Sequence, residues 1–113
     1  MTRTLFISEN DNENYLTLAL TLAGEMIKNG GETYRAEECA SKILYASKAR
    51  DVQVFAIPTS ILITVAYEAE TITRSLTVGE RDINLKNIDR LNTISRNICE
   101  GKITLSEACE KLE

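Results

Sequence analysis

The 113-residue chain contains no histidine, a single proline and only three cysteines. Without histidine it lacks the commonest general base, the Ser–His and Cys–His nucleophile pairs, and the imidazole ligand of most zinc sites. Cys39, Cys99 and Cys109 form neither a C-x-x-C pair nor an even disulfide framework. We interpret them as small buried apolar residues in a reducing compartment. We therefore expect no catalytic residue, no metal and no cofactor.

Long hydrophobic runs and basic clusters are absent as well. The longest apolar run, SILITVAY, is far shorter than the roughly 18 residues of a membrane span, and the N-terminal MTRTLFISEN is too weakly apolar for a signal peptide. The net charge is −4, and no Lys/Arg cluster exceeds a pair. Nucleic acid and bare anionic membrane are therefore poor partners, since both require a concentrated basic surface. We expect a soluble, cytoplasmic chain.

The length corresponds to a single domain, residues 1–113, and its first part has helical periodicity. YLTLALTLAGEMIKNGG carries an apolar stripe wide enough for a helix buried on more than one side. Asn12 or Asn14 is the expected N-cap, and Gly30 or Gly31 should end the helix. A second helix is expected from Thr33, as N-cap, to about Lys48.

From Asp51 the hydrophobic period changes to two. VQVFAI, SILITVAY and TITRSLTV are rich in β-branched residues, and Pro58 and Thr59 form a turn between the first two. The middle strand is apolar on both faces and should be central, whereas the third is polar on one face and should lie nearer an edge. The short links predict antiparallel pairing.

Helical periodicity returns in the last part of the chain. One helix is expected over residues 84–99 and should end at Gly101, and a capping box from Thr104 to Glu107 opens another. This last helix is still in phase at Glu113, which favours a domain cut from a longer protein. The element order ααβββαα predicts a two-layer α+β fold, with a small antiparallel three-stranded sheet and helices on one face.

Four spaced motifs have the order of a known family: GGETYRAEECASKI, VFAIPTSILITV, TRSL before RDINLKNIDRLNTISRNI, and GKITLSEACEKLE. Together they resemble the N-terminal cytosolic domain of the threonine/serine exporter family. The resemblance implies that a bundle of membrane helices follows in the same protein or belongs to a separate membrane subunit. That membrane portion is then the expected partner, and a homo-oligomer is a further possibility.

The resemblance also supplies candidate contact residues. The family's Gly-x-Glu-x-Tyr-Arg-x-Glu pattern and its Pro-Thr motif occur here, and its arginine before the third helix matches Arg74 or Arg81. Its Asp-x-x-Leu…Asn…Ser-Arg helix matches Asp82, Leu85, Asn92, Ser95 and Arg96. The predicted substrate or partner contacts are Glu32, Tyr34, Arg35, Glu37, Thr59 and Arg74.

Each candidate also has a purely structural interpretation. The Glu32 to Glu38 stretch reads as a helix start, in which Thr33 caps and Arg35 pairs with a neighbouring glutamate. Thr59 reads as a turn residue, and Arg74 as an edge-strand residue that extends to solvent rather than into a polar pocket. On this interpretation Asn92 and Ser95 lie at the margin of an apolar stripe.

Taken together, the sequence predicts a non-enzymatic cytosolic domain of an exporter of threonine, serine or similar small polar organic acids, acting in assembly or gating. One alternative is a small hydrolase-like module. Many family members place histidine before Pro-Thr and glycine after it, but here Ile57 and Ser60 occupy those positions, which weakens this alternative. The other alternative is a stand-alone small-molecule-binding regulator.

Overall fold

The computed structural model describes residues 11–79 and 84–112. These form four helices and three strands in the predicted order ααβββαα: α1 Asp11–Lys28, α2 Thr33–Ala46, β1 Asp51–Ile57, β2 Ser60–Ala66, β3 Thr71–Thr77, α3 Leu85–Cys99 and α4 Leu105–Leu112. The predicted α+β class is therefore confirmed.

The three strands form one antiparallel sheet in the order β1-β2-β3, with β2 in the centre as predicted. Alternate residues of β2 face the helices, and Ile61, Ile63 and Val65 are fully buried there. The opposite face is open: Leu62 is 45% exposed and its cross-strand neighbour Phe55 is 61% exposed. The helices thus cover one face of the sheet, as period-two alternation requires.

Helix α1 is the central element of the core and is buried on several sides, as its wide apolar stripe predicts. Leu18, Leu22 and Met26 are among its buried residues, and each fully buried side chain of this size stabilises the fold by about 1.5–3 kcal/mol. Both α1 and α2 pack on the sheet, while α3 and α4 pack on the other helices. The helical side of the domain therefore has two tiers, one on the sheet and one on α1 and α2.

Gly30 ends α1, which is one of the two positions predicted for the end of this helix. Its φ of 97° is left-handed, and its amide donates to the Ile27 carbonyl oxygen at 3.0 Å. The Gly31 amide donates to the Met26 carbonyl oxygen at 2.7 Å. This pair of bonds is the Schellman motif, and glycine takes the left-handed position without the steric cost that a Cβ would bring.

The predicted N-caps of the first two helices are wrong. Asn12 and Asn14 lie inside α1, which already includes Asp11, and Asn14 is buried by the packing of that first turn. The N-cap of α2 is Glu32, whose side chain makes no capping bond, and Thr33 is already helical. The tight Gly30–Gly31 turn lets α2 begin one residue early, so the Glu32 carbonyl oxygen accepts from the Arg35 amide.

Helix α2 also ends earlier than predicted, at Ala46 rather than near Lys48. Lys48 has a left-handed φ of 70°, and its amide donates to the Tyr45 carbonyl oxygen at 3.1 Å. The side-chain hydroxyl of Ser47 bonds both the Leu44 carbonyl oxygen, at 2.5 Å, and the Tyr67 hydroxyl, at 2.7 Å. These bonds turn the chain toward β1 and stop the helix where its apolar stripe alone would have continued it.

The predicted end of α3 at Gly101 and the predicted capping box of α4 are confirmed, and Asn84 is the N-cap of α3. The Asn84 side chain accepts from the Asn87 amide at 3.0 Å, and Gly101 has a φ of 73° after the end of α3. Thr104 and Glu107 exchange backbone-to-side-chain bonds of 2.9 and 3.1 Å, which is the reciprocal pattern of a capping box. The bonds from Thr104 hold the pKa of Glu107 below its usual value.

Replacing Gly31 by alanine should lower the free energy of unfolding by about 1–3 kcal/mol. A Cβ built on Gly31 would lie 2.7 Å from the Met26 carbonyl oxygen and 3.2 Å from Ile88 Cδ1, and the oxygen is a fixed backbone atom. Urea denaturation measures the loss. Gly79→Ala is the control, because no described atom lies within 4 Å of a Cβ there, and it should change stability by less than about 0.5 kcal/mol. Equal losses in the two variants would contradict the close approach.

Candidate functional site

Helices α2 and α3 lie side by side and run in the same direction. Both begin at the end of α1, where the Asn84 amide donates to the Asn29 carbonyl oxygen at 2.9 Å. Farther along, the Cys39 thiol donates to the Ser95 hydroxyl oxygen at 2.9 Å, within the buried contact between the two helices. The surfaces of the two helices therefore face each other along their length.

A groove of about 600 Å³ lies between these helices, and we call it the α2–α3 groove. Its residues recur at i, i+3, i+4 and i+7 on each helix, which is the spacing of one helical face. Asn92 and Thr93 contribute polar side chains. Six charged side chains line it: Arg35, Glu38 and Lys42 from α2, and Asp89, Arg96 and Glu100 from α3.

The six charged groups are not all paired with each other. Lys42 Nζ lies 2.9 Å from Glu38 Oε1. This contact lowers the pKa of Glu38 and raises the pKa of Lys42, so both side chains stay charged. Lys102 Nζ lies 3.4 Å from Glu100 Oε1. Within residues 11–79 and 84–112, the side chains of Arg35, Arg96 and Asp89 form no ion pair. The groove therefore presents two available guanidinium groups and one available carboxylate.

Two thiols lie at the groove beside these charges. Cys39 is buried, and this desolvation raises the pKa of its thiol to about 11, although the Ser95 hydrogen bond and the Lys42 charge act in the opposite direction. Burial also raises the pKa of the half-buried Cys99. Both thiols are protonated at neutral pH, and all three cysteines are free. This is the environment of structural cysteines rather than of nucleophiles.

The predicted residues near the start of α2 separate into three environments. Arg35 lies on the groove. Tyr34 is 59% exposed, and the Glu32 carboxylate raises the pKa of its hydroxyl through a hydrogen bond and through its charge. Glu37 Oε2 accepts from the Ala56 amide of β1 at 2.8 Å. Glu37 therefore holds α2 against the sheet and satisfies a donor on the edge strand.

The remaining predicted residues lie on the sheet. Thr59 is exposed in the turn between β1 and β2, and its carbonyl oxygen accepts from the Val78 amide at 2.9 Å. Arg74 lies on β3 and is exposed, and its guanidinium donates to Thr17 Oγ1 of α1 at 2.9 Å. Neither residue lines the α2–α3 groove. Arg81, the alternative match to Arg74, lies outside the described residues, as does Asp82.

The structure thus brings Arg35 together with residues that the sequence interpretation placed outside a site. Asn92, Ser95 and Arg96 match the family's helix pattern, and all three line the groove. Asp89 was not singled out. Its signal was present, since Asp89, Asn92 and Arg96 share one face of α3 by their spacing. What the sequence did not show was that this face is turned toward the Arg35 face of α2.

Two further properties of the described part of the chain bear on its class. It contains no group of three or more histidine, cysteine, aspartate or glutamate side chains arranged to hold a metal ion. None of its helices combines the length and the apolar character needed to cross a membrane.

The described residues define a small α+β domain with a charged groove between two parallel helices. The sequence model of the threonine/serine exporter family (ThrE) matches residues 17–113, so the chain belongs to this family. This confirms the predicted family and supports an exporter-related role in a membrane context. No curated protein and no solved structure matches the chain.

Proposed function

We propose that this chain is the cytosolic domain of a membrane exporter of threonine, serine or similar small polar organic acids, and that it acts without enzymatic activity in assembly or gating. In this proposal the domain precedes the membrane-spanning portion, or joins a separate membrane subunit, on the cytoplasmic side. Homo-oligomers of the exporter would then carry several copies of the domain. Family membership supports the transport context of this proposal.

The α2–α3 groove is the observation that carries the proposal. Arg35 and Arg96 are exposed charged side chains with no ion-pair partner among the described residues. Their guanidinium groups lie in the same groove and are available to a substrate or partner, and a guanidinium can bind a carboxylate through two parallel hydrogen bonds. Tyr34 adds an exposed aromatic ring beside Arg35 in the sequence, and both residue types are favoured at interfaces.

A non-enzymatic role is supported by the state of the candidate nucleophiles. Burial keeps the Cys39 thiol protonated, with its pKa raised to about 11. Thr59 lies in an exposed turn, and its carbonyl oxygen contributes to the fold by bonding the Val78 amide. A hydroxyl needs a neighbouring base to become a nucleophile at neutral pH.

The test is export by the full-length transporter. Arg35→Ala and Arg96→Ala should each reduce export at least about fivefold, while the domain stays folded, because exposed positions usually change stability by less than about 0.5 kcal/mol. Arg50→Ala is the matched control, since Arg50 is also exposed but lies just before β1, away from the groove. Circular dichroism of the isolated chain checks the fold of each variant.

Three results would contradict the proposal. Export that is unchanged in both groove variants would remove the groove from the transport cycle. A groove variant that loses several kcal/mol of stability would show that the guanidinium has an architectural role instead. Equal loss of export in Arg50→Ala would point to surface charge in general rather than to the groove.

A further inference from the structure

We infer that the α2–α3 groove binds a free α-amino acid as its zwitterion, with the carboxylate on Arg35 and Arg96 and the ammonium group on Asp89. This inference rests on the proposed function and deepens it, because it makes the cytosolic domain a sensor of the exported solute. The evidence consists of the available charges, their order along the two helices, and the size of the groove.

The charges match a zwitterion in sign. The groove holds three cations and three anions, but Lys42 and Glu38 are occupied with each other, and Glu100 with Lys102. What remains within the described residues is a pair of guanidinium groups and one carboxylate. A guanidinium binds a carboxylate through two parallel hydrogen bonds, which makes arginine the preferred residue for this task.

The order of the charges along α3 places both signs on one wall of the groove. Asp89 and Arg96 are two turns apart, about 10.5 Å along the helix axis, with Asn92 between them. Long helical side chains point back toward the N-terminus, so Arg96 extends over the turn of Asn92. The Asn92 amide, with two donors and an acceptor, then lies where it could contact a ligand hydroxyl or ammonium group.

Arg35 lines the opposite wall of the groove, on the facing helix. Gly31 lies against Ile88, and Cys39 bonds Ser95, so residues of α2 face residues of α3 about one turn at a time along the groove. Arg35 is midway between Gly31 and Cys39 and therefore faces the turn of α3 around Asn92. The two guanidinium groups therefore line one groove from opposite walls.

The volume of the groove sets the size of the ligand, and its exposure to solvent sets how tightly the ligand binds. A groove of about 600 Å³ is large enough for a small amino acid and some water. Its charged rim is exposed to solvent, so water competes for each contact and salt screens the charges. We therefore expect a dissociation constant in the range of about 1 mM, which suits a solute that is sensed when it accumulates.

The experiment is a titration of this chain, isotopically labelled, with L-threonine, followed by NMR chemical shifts. We expect saturable shifts that centre on the amides of Arg35, Asn92 and Arg96. N-acetyl-L-threonine, which lacks the ammonium group, and L-threoninol, which lacks the carboxylate, should each bind at least about tenfold more weakly. Higher salt should weaken the binding of threonine itself.

Variants assign the ligand's two charged groups to the protein. Arg96→Gln and Asp89→Asn should each weaken threonine binding at least about tenfold. Lys42→Gln should change it less than about twofold, because its ammonium group is paired with Glu38. Arg96→Lys should rescue binding only in part, since an ammonium group cannot make the two parallel bonds. The native dispersion of the NMR spectrum reports that each variant is folded.

Absence of saturable shifts up to about 50 mM threonine would overturn this inference. So would equal binding of N-acetyl-L-threonine, or shifts that fall on the sheet instead of the groove. The outcome is separate from the test of the proposed function. If groove variants impair export but this chain does not bind threonine, the groove is a contact for the membrane portion and this inference fails. If the chain binds threonine but groove variants do not affect export, only the gating role is removed.

Discussion

Replacing Ile63 by alanine should lower the free energy of unfolding by about 2–5 kcal/mol, a large part of the 5–15 kcal/mol that holds a typical domain together. Ile63 lies on the central strand, is fully buried beneath the helices, and pairs across the sheet with Val54 and Arg74. Its truncation removes apolar contacts and leaves a cavity that the surrounding helices and strands fill only partly. Urea denaturation measures the loss.

Leu62→Ala is the matched control for this experiment. Leu62 is the adjacent residue on the same strand, so the two changes have similar local effects on the backbone, but its side chain is 45% exposed on the open face. We expect a loss of less than about 1 kcal/mol. If Leu62→Ala were as costly as Ile63→Ala, the open face would have to be covered in solution, and the one-sided arrangement of the helices would not describe the whole assembly.

Cys39 should react with iodoacetamide at least about a hundredfold more slowly in the native protein than in urea at pH 8. Only the thiolate reacts, and burial raises the pKa of Cys39 to about 11. Cys99 is half-buried and should react faster than Cys39 in the native state. Mass spectrometry of the alkylated peptides assigns each rate to its cysteine. Equal native rates for Cys39 and Cys99 would contradict the buried position of Cys39 under the groove.

The same raised pKa has a consequence for stability. Because the folded state favours the neutral thiol, the contribution of Cys39 is fully present below the pKa of an unfolded cysteine and is lost as the pH rises toward 11. The loss should amount to about 2–3 kcal/mol at most. Cys39→Ala should flatten this part of the curve of stability against pH. If the stability of the wild type and of the variant fell in the same way above pH 9, the assignment of this pH dependence to Cys39 would be contradicted.

Much of the fold follows from local patterns in the sequence. The change from helical to alternating periodicity locates every described element, and the strand that is apolar on both faces is the central one. Three helix ends were predicted correctly: the ends of α1 and α3, at Gly30 and Gly101, and the start of α4 at the Thr104 capping box. Their hydrogen bonds join residues within a few positions of each other. Caps were predicted less well at the start of α1 and α2, where packing and the preceding turn moved the helix start.

The candidate residues show where sequence interpretation stopped. Glu37 stands in the same motif as Arg35, but it bonds a strand amide that lies 19 residues away in the sequence. Arg74 bonds Thr17 across 57 residues. A motif within one segment does not specify hydrogen-bond partners that lie far away in the sequence. Of the six predicted residues, which share a family pattern, only Arg35 lines the α2–α3 groove.

By itself, the sequence determined the class of the domain, the order of its elements, the central strand and the family, since each depends on local propensity, periodicity and spaced motifs. Only the tertiary structure decided which charged residues meet. The Arg35 face of α2 and the Asp89 to Arg96 face of α3 are more than fifty residues apart, and each alone reads as a solvated helix surface. They form a groove because the start of α3 bonds the end of α1 beside the start of α2, and this contact depends on the folded core rather than on either helix.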